Sequence, residues 1–167
     1  MSDYEIRPME HGDIDAVLLL FDAVAAERLW IGTEPGYDRT KYSDMLGFSV
    51  SHGNGMFVAL CEGRIVGVVT ERFNDLYGHT LGMLVDEAYR GRGIGAALLE
   101  CQIAWARSHD IPYLSLLVFP HNERAIALYR KFDFVEVDSR AVLISRANGE
   151  SWDAMLMRKT LTRSTAR

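Results

Sequence analysis

A chain of 167 residues is long enough to bury a proper core as one domain, and a hydrophobic share of 49% is ordinary for a soluble globular protein. A net charge of -5, with no long basic run before the tail, argues against a nucleic-acid partner. No apolar run approaches the ~20 residues of a membrane span, residues 1–10 are too polar for a signal peptide, and Cys61 and Cys101 read as reduced, buried thiols, so a cytoplasmic location is expected.

Residues 4–7 alternate like a short first strand, which Pro8 ends. Asp13 is placed to cap a helix carrying Ile14, Val17, Leu18, Phe21 and Val24 at helical spacing, ending near Leu29. Residues 30–37 hold two glycines, a proline, Trp30 and Tyr37, and form a loop that is either pinned to the core or one wall of a substrate pocket. Residues 38–51 are predicted as a second helix, with Tyr42, Met45, Leu46 and Val50 inward. A meander follows: strands at 56–61, 64–73 and 79–85, with Glu62-Gly63 as a tight turn and 74–78 as a polar one. Residues 93–108 form a strong amphipathic helix whose inner face is Ile94, Ala97, Leu98, Cys101, Ala104 and Trp105. The apolar run 113–119 suits a strand buried on both faces. Asn122 caps a helix with Ala125, Leu128, Tyr129 and Phe132 inward. Residues 134–138 are read as a strand, 140–150 as a polar turn around Asn148-Gly149, and 151–158 as the last strand. The tail from Thr160 has nothing to bury.

The stretch 85–100 organises the rest. Gly91, Gly93 and Gly95 leave the backbone bare at the head of a helix, with Arg90 and Arg92 beside them. Helix N-termini present unpaired N–H groups and partial positive charge, so this is a site for a phosphate-bearing ligand. A nucleotide-binding P-loop is excluded, because the Lys-Ser/Thr pair of G-x-x-x-x-G-K-S/T is missing. Gly91-x-Gly93-x-x-Ala96 matches a dinucleotide fingerprint in letters only: residues 86–90 separate it from the strand, and apolar residues 116–119 stand where the ribose-binding acid belongs.

Arg90-x-x-Gly93-x-Gly95, after a strand and before an amphipathic helix, resembles the acetyl-CoA loop of the GNAT superfamily of N-acetyltransferases. Asn122-x-x-Ala125-x-x-Leu128-Tyr129-x-Lys131-x-x-Phe134 is similar to a second signature of that family, and the order of elements agrees over residues 4–159. One position departs: Asp133 stands where the family usually has a glycine, a left-handed site that Asp tolerates at a cost of about 1 kcal/mol. The resemblance implies a mixed α/β fold with a mostly antiparallel sheet of six to seven strands and about four helices. It implies a splay between the strands at 79–85 and 113–119, a single N-acetyltransferase domain over 1–160 and a loose tail over 161–167.

It also implies acetyl transfer from acetyl-CoA to an amine, without a metal. The N–H groups from Arg90 through Gly91, Arg92, Gly93, Ile94 and Gly95 to Ala96 would hold the pyrophosphate. The backbone at Met83, Leu84 and Val85 would pair with the pantetheine arm and supply the oxyanion donor. Asn122 would touch that arm or serve only as a cap, and Arg124 would reach the phosphates. Tyr129 occupies the general-acid position or is a core tyrosine; a phenol near pKa 10 protonating a thiolate near 8.5 is uphill by about 2 kcal/mol. His79 falls near a catalytic glutamate of some members, and an ordinary imidazole suits proton removal at neutral pH. Glu71, Asp75 or a water chain are the other choices. The Trp30 loop would wall the acceptor pocket, with Glu34 attracting a cationic amine. The segment 146–153, followed by Met155 and Met157, looks like the ending of bacterial members acting on small amines or amino acids. Acetylation of a protein N-terminus or lysine is the second reading, and a non-catalytic acyl-CoA sensor is a reading of another class. Homodimers are common in the family.

Overall fold

A computed structural model describes residues 3–137 and 142–161. The elements are β1 (Glu5–Pro8), α1 (Ile14–Glu27), α2 (Arg39–Ser51), β2 (Phe57–Cys61), β3 (Arg64–Asn74), β4 (Gly78–Val85), α3 (Ile94–Ser108), β5 (Tyr113–Val118), α4 (Glu123–Lys131), β6 (Val135–Glu136), β7 (Val142–Ser145) and β8 (Ser151–Thr160). Seven strands lie side by side in the order β1-β2-β3-β4-β5-β8-β6, and β7 pairs with β8. Every pairing is antiparallel except β4 with β5.

The sheet is covered on both faces. On one, Val68 and Leu84 pack with Val17, Leu18, Val24 and Leu46 of α1 and α2. On the other, Leu81, Leu114 and Leu116 pack with Leu98 and Leu99 of α3 and Ile126 and Tyr129 of α4. Leu98, Leu99, Val58 and Val66 are fully enclosed, and burying such a side chain is worth about 1.5–3 kcal/mol. Alternation along β5 explains its apolar run: Leu114, Leu116 and Val118 face α3 and α4, leaving Tyr113, Ser115 and Leu117 to the other face.

The expected splay is present. β4 keeps an eight-pair ladder with β3, from Gly67↔Val85 to Asn74↔Gly78. Against β5 its register holds at one pair alone, Thr80↔Ser115. From Leu81 onward the two strands part.

Several readings need correction. The strand count is eight rather than six to seven, because Val142–Ser145, read as part of a polar turn, pairs with 151–154 and makes a hairpin around Asn148-Gly149. Its alternation of half-buried and exposed residues is that of a strand with only one covered face. The strand expected over 134–138 is the two-residue β6; position 138 and positions 140–141 lie outside the described residues. Leu161, assigned to a loose tail, is buried and donates its N–H to Pro112 O at 2.9 Å; residues 162–167 are outside the described set. Cys61 and Cys101 are free thiols but only partly buried. Asp133 does adopt the left-handed conformation, with φ 62°.

Candidate active site

The loop from β4 to α3 is built in two steps. Asp86 caps a short 3-10 turn, Glu87–Tyr89, by accepting from Ala88 N at 3.0 Å. The chain then turns through Gly91 (φ 77°) and Gly93 (φ 84°), both in the left-handed region that only glycine enters freely. Gly95 serves packing instead: a Cβ there would lie 3.2 Å from Leu128 Cδ2 and 3.5 Å from Met83 Cε, so the glycine lets α3 start against α4 and β4. No side chain caps α3. Among the described residues, none of the N–H groups from Gly91 to Ala96 donates to a protein acceptor. Such a row at a helix head is an anion site.

The arginines around it differ. Arg90 forms a fork with Glu27 at the end of α1, at 2.8 and 2.6 Å, and its Nε donates to Val85 O at 3.0 Å. The Arg90 guanidinium, by hydrogen bonding, holds the Glu27 carboxyl below its usual range. Its charge is therefore already matched. Arg92 lies 4.9 Å over the Tyr89 ring and donates to Ala88 O at 3.1 Å. Arg124 leans over the turn: its Nη2 is 3.9 Å from where a Gly91 Cβ would be, and no carboxylate pairs with it among the described residues.

Beside this turn runs the parted edge of β4. Met83, Leu84 and Val85 are paired to β3 on one side and to no strand on the other. Asn122 caps α4, its Oδ1 accepting from Ala125 N at 3.3 Å, which leaves its amide nitrogen available. Tyr129 is 7% exposed, within the cluster that holds Leu81 and Leu116. Burial pushes its phenol up to about 12. Full proton transfer to a thiolate near 8.5 is then uphill by about 3.5 units, or about 5 kcal/mol, well beyond the 2 kcal/mol of an ordinary tyrosine.

His79 and Glu71 come together, with Nδ1 2.7 Å from Oε1 and the carboxylate side chain 3% exposed. Their direct partners across the ladder are Phe73 and Leu81. Leu81 belongs to the α3/α4 cluster, so alternation puts His79 and Glu71 on that face. The other proposed acid, Asp75, is exposed in the turn after β3.

The loop after α1 lies over the opposite face. Trp30 donates from Nε1 to Glu27 at 2.6 Å, so one carboxylate ties it to Arg90. Glu34 does not stand free for an amine: Arg146 is 3.3 Å away, Arg28 3.8 Å, and Ala147 N donates to it. Arg146, missed in the sequence, organises this region. It is 5% exposed, donates to Ile31 O at 3.0 Å and Arg28 O at 2.9 Å, and stacks 4.2 Å over Trp152. His121, also missed, donates from Nε2 to Leu29 O at 2.6 Å and stacks on Phe119. Carbonyl partners 92 residues away for His121 and 115 and 118 residues away for Arg146 left no local sign of either role. A separate hollow of about 250 Å³ beneath α3 and α4, lined by Glu100, Arg107, Lys131 and Asp133 among others, includes none of the predicted site residues. Among the described residues no cluster of His, Cys, Asp or Glu has the makings of a metal site.

Comparisons with known proteins agree with this geometry. A mycothiol acetyltransferase of Acidimicrobium ferrooxidans is 33% identical over 98 residues, covering 59% of this chain and 31% of that protein, so the chain spans about a third of that relative. An acetyltransferase of Sodalis glossinidius, SG1711, is 27% identical over 143 residues, 85% of this chain and 94% of that one. The crystal structure of a phosphinothricin acetyltransferase from Sinorhizobium meliloti in complex with AcCoA superposes with a TM-score of 0.80 at 19% identity, over 100% of this chain and 93% of that one, and so shares the fold. The sequence matches the Acetyltransferase (GNAT) family over residues 21–134, a span that contains the glycine turn, the parted strands and the Asn122 helix, and the chain belongs to that family.

Proposed function

We propose that the protein is an N-acetyltransferase that moves an acetyl group from acetyl-CoA to the primary amine of a small molecule or amino acid. The observation that carries this reading is the row of unpaired N–H groups from Gly91 to Ala96, set beside the open edge of β4 and the buried Tyr129. Acetyl-CoA supplies the acetyl group already activated as a thioester. The residues fit it: the turn has glycines where a Cβ would crowd a phosphate, a free cation in Arg124, and unpaired strand backbone for an extended amide chain.

In this reading the N–H groups and Arg124 hold the pyrophosphate, with Arg92 at the rim. Arg90 shapes the turn through Glu27 and Val85 rather than meeting phosphate. A backbone N–H near Val85 supports the developing oxyanion. Tyr129 donates a hydrogen bond to the departing sulfur and keeps its proton, which its raised pKa requires. The amine approaches from the α1/α2 face, beneath the Trp30 loop. Its proton leaves through the gap by way of water to His79, which Glu71 orients. A His79→Ala variant with an unmoved pH–rate profile would remove His79 from this path.

The deciding experiment is a panel of amines, amino acids and peptides with acetyl-CoA and a free-thiol readout. Turnover with small amines or amino acids supports the proposal. Turnover confined to peptide N-termini or lysines moves the protein to the second reading, and coenzyme binding with no acceptor-dependent thiol release makes it a sensor.

A further inference from the structure

Among the described residues, α1 and α2 cover one half of their face of the sheet. The apolar cluster beneath them draws on β2, β3 and β4, and on no residue of β5 or β8. On that face β5 presents Ser115 and Leu117, and direct pairing sets Arg158 of β8 beside Ser115 and Leu156 beside Leu117. Val135 of β6, paired with Arg158, is 63% exposed, so this half lies open beyond the Trp30 loop.

The open half begins at the gap. Two residues past Thr80↔Ser115, Gly82 and Leu117 stand level across the parting strands. Gly82 is exposed, and Leu117 and Leu156 are half-buried. Two residues further on, level with Leu84 and next to Val85, Phe119 closes the upper end. Its ring meets Trp152 edge-on at 5.3 Å, and Arg146, stacked on both rings, holds the loop above them. The lower end is Arg158, stacked back over Tyr113 at 4.2 Å and tied through Nε to the Ser115 hydroxyl at 3.0 Å. A trough therefore runs from the reacting end of the gap back along β5 to Ser115, roughly 13 Å at about 3.3 Å per residue. Its floor is Gly82, Leu117 and Leu156, with the Thr70 hydroxyl behind Gly82. The charges above it are matched to each other, Arg146 with Glu34 at 3.3 Å and Arg90 with Glu27 at 2.6 Å.

Resting on the acetyltransferase reading, we infer that the acceptor is a primary amine with an apolar body, and that Leu117 and Leu156 set this preference. The bare backbone of Gly82 joins the trough to the gap, because a side chain on that face would stand at the gap's edge. An amine held at the thioester, next to Val85, lays its chain first against Leu117. Leu156, one strand spacing of roughly 4.8 Å further out, meets the carbons beyond. Water leaves this apolar floor when such a body covers it, which is the driving force for the choice.

The test measures kcat/KM for n-alkylamines from ethylamine to hexylamine, in which the reacting nitrogen is the same throughout. It uses the wild-type enzyme, Leu117→Asn, Leu156→Asn and Leu156→Met. The expected result is a rise of roughly two- to fourfold for each added methylene, the range from a partly to a fully buried CH2. Leu156→Asn should flatten the rise for the longer amines alone, Leu117→Asn for the whole series, and Leu156→Met should keep it. A wild-type rise below about 1.5-fold per methylene overturns the inference, and a second copy of the chain lying on this face would give that result. A rise unchanged in both Asn variants overturns it too, as does a peptide preferred to every alkylamine. No thiol release with any amine or peptide overturns the acetyltransferase reading itself, and this inference with it. The wild-type series needs no variant to fold, and retained coenzyme A binding shows that a variant has folded.

Discussion

Tyr129 shows how one residue's surroundings decide which of two roles it could serve in the proposed transfer. Its position on an amphipathic helix was readable from the spacing of Ala125, Leu128 and Phe132. Its proton affinity was not, because that depends on strands and helices closing around it from distant parts of the chain. Burial pushes the phenol to about 12, so it stays neutral throughout the range in which the enzyme would work. We expect kcat to show no loss between pH 8 and 10 from ionisation of this group. Tyr129→Phe should lower kcat by about 10- to 100-fold, the range of one charge-assisted hydrogen bond of about 1.5–3 kcal/mol. Stopped assays with a thiol reagent across that pH range measure both. A Phe variant with full turnover would remove the role. Asp133 is the contrary case, a residue whose backbone conformation was legible from its place after a helix.

At the scale of elements, the sequence showed the glycine turn but not what braces it. Glu27 closes α1 and receives both Arg90 and Trp30, so one carboxylate joins the proposed cofactor turn to the proposed acceptor loop. Arg90 and Glu27 are 63 positions apart, and no periodicity reports such a pair. Glu27→Gln keeps the shape and a hydrogen bond to one partner but leaves the Arg90 charge, 21% exposed, uncompensated. The expected outcome is a rise in KM for acetyl-CoA of about three- to tenfold, following a loss of about 1 kcal/mol, with a smaller effect on the acceptor. Initial-rate measurements varying each substrate check it, and an unchanged KM for acetyl-CoA would show that the turn holds its shape alone. The strand β7 was hidden for a related reason. Val142 to Ser145 is short and one-sided, and its hairpin is fastened by Arg146 to carbonyls of residues 28 and 31.

For the whole molecule, one apolar cluster packs on each face of the sheet, and four ionisable groups with shifted proton affinity set the pH range of the fold. Asp13 is held below the usual carboxylate range by hydrogen bonds from Arg7, and Glu27 by those from Arg90. A depressed carboxylate lends stability above its unfolded value and loses it as pH falls through the folded one, so both contributions fade below about pH 4.5. Tyr129 and Tyr37 are both pushed up to about 12, chiefly by burial. A raised group lends stability that is complete below its unfolded value, near 10 for a phenol, and lost as pH climbs toward 12. For the enclosed Tyr129 the difference of about two units amounts to about 3 kcal/mol. These four groups therefore predict a plateau of stability from about pH 5 to 9.5, with a fall on each side. Urea unfolding followed by tryptophan fluorescence across pH 3 to 11 measures it. Tyr129→Phe should flatten the alkaline fall and leave the acid one in place. An alkaline limb identical in that variant would mean that the phenol is hydrated in the native state, and would weaken the case for a dry, proton-retaining hydrogen-bond donor at the sulfur.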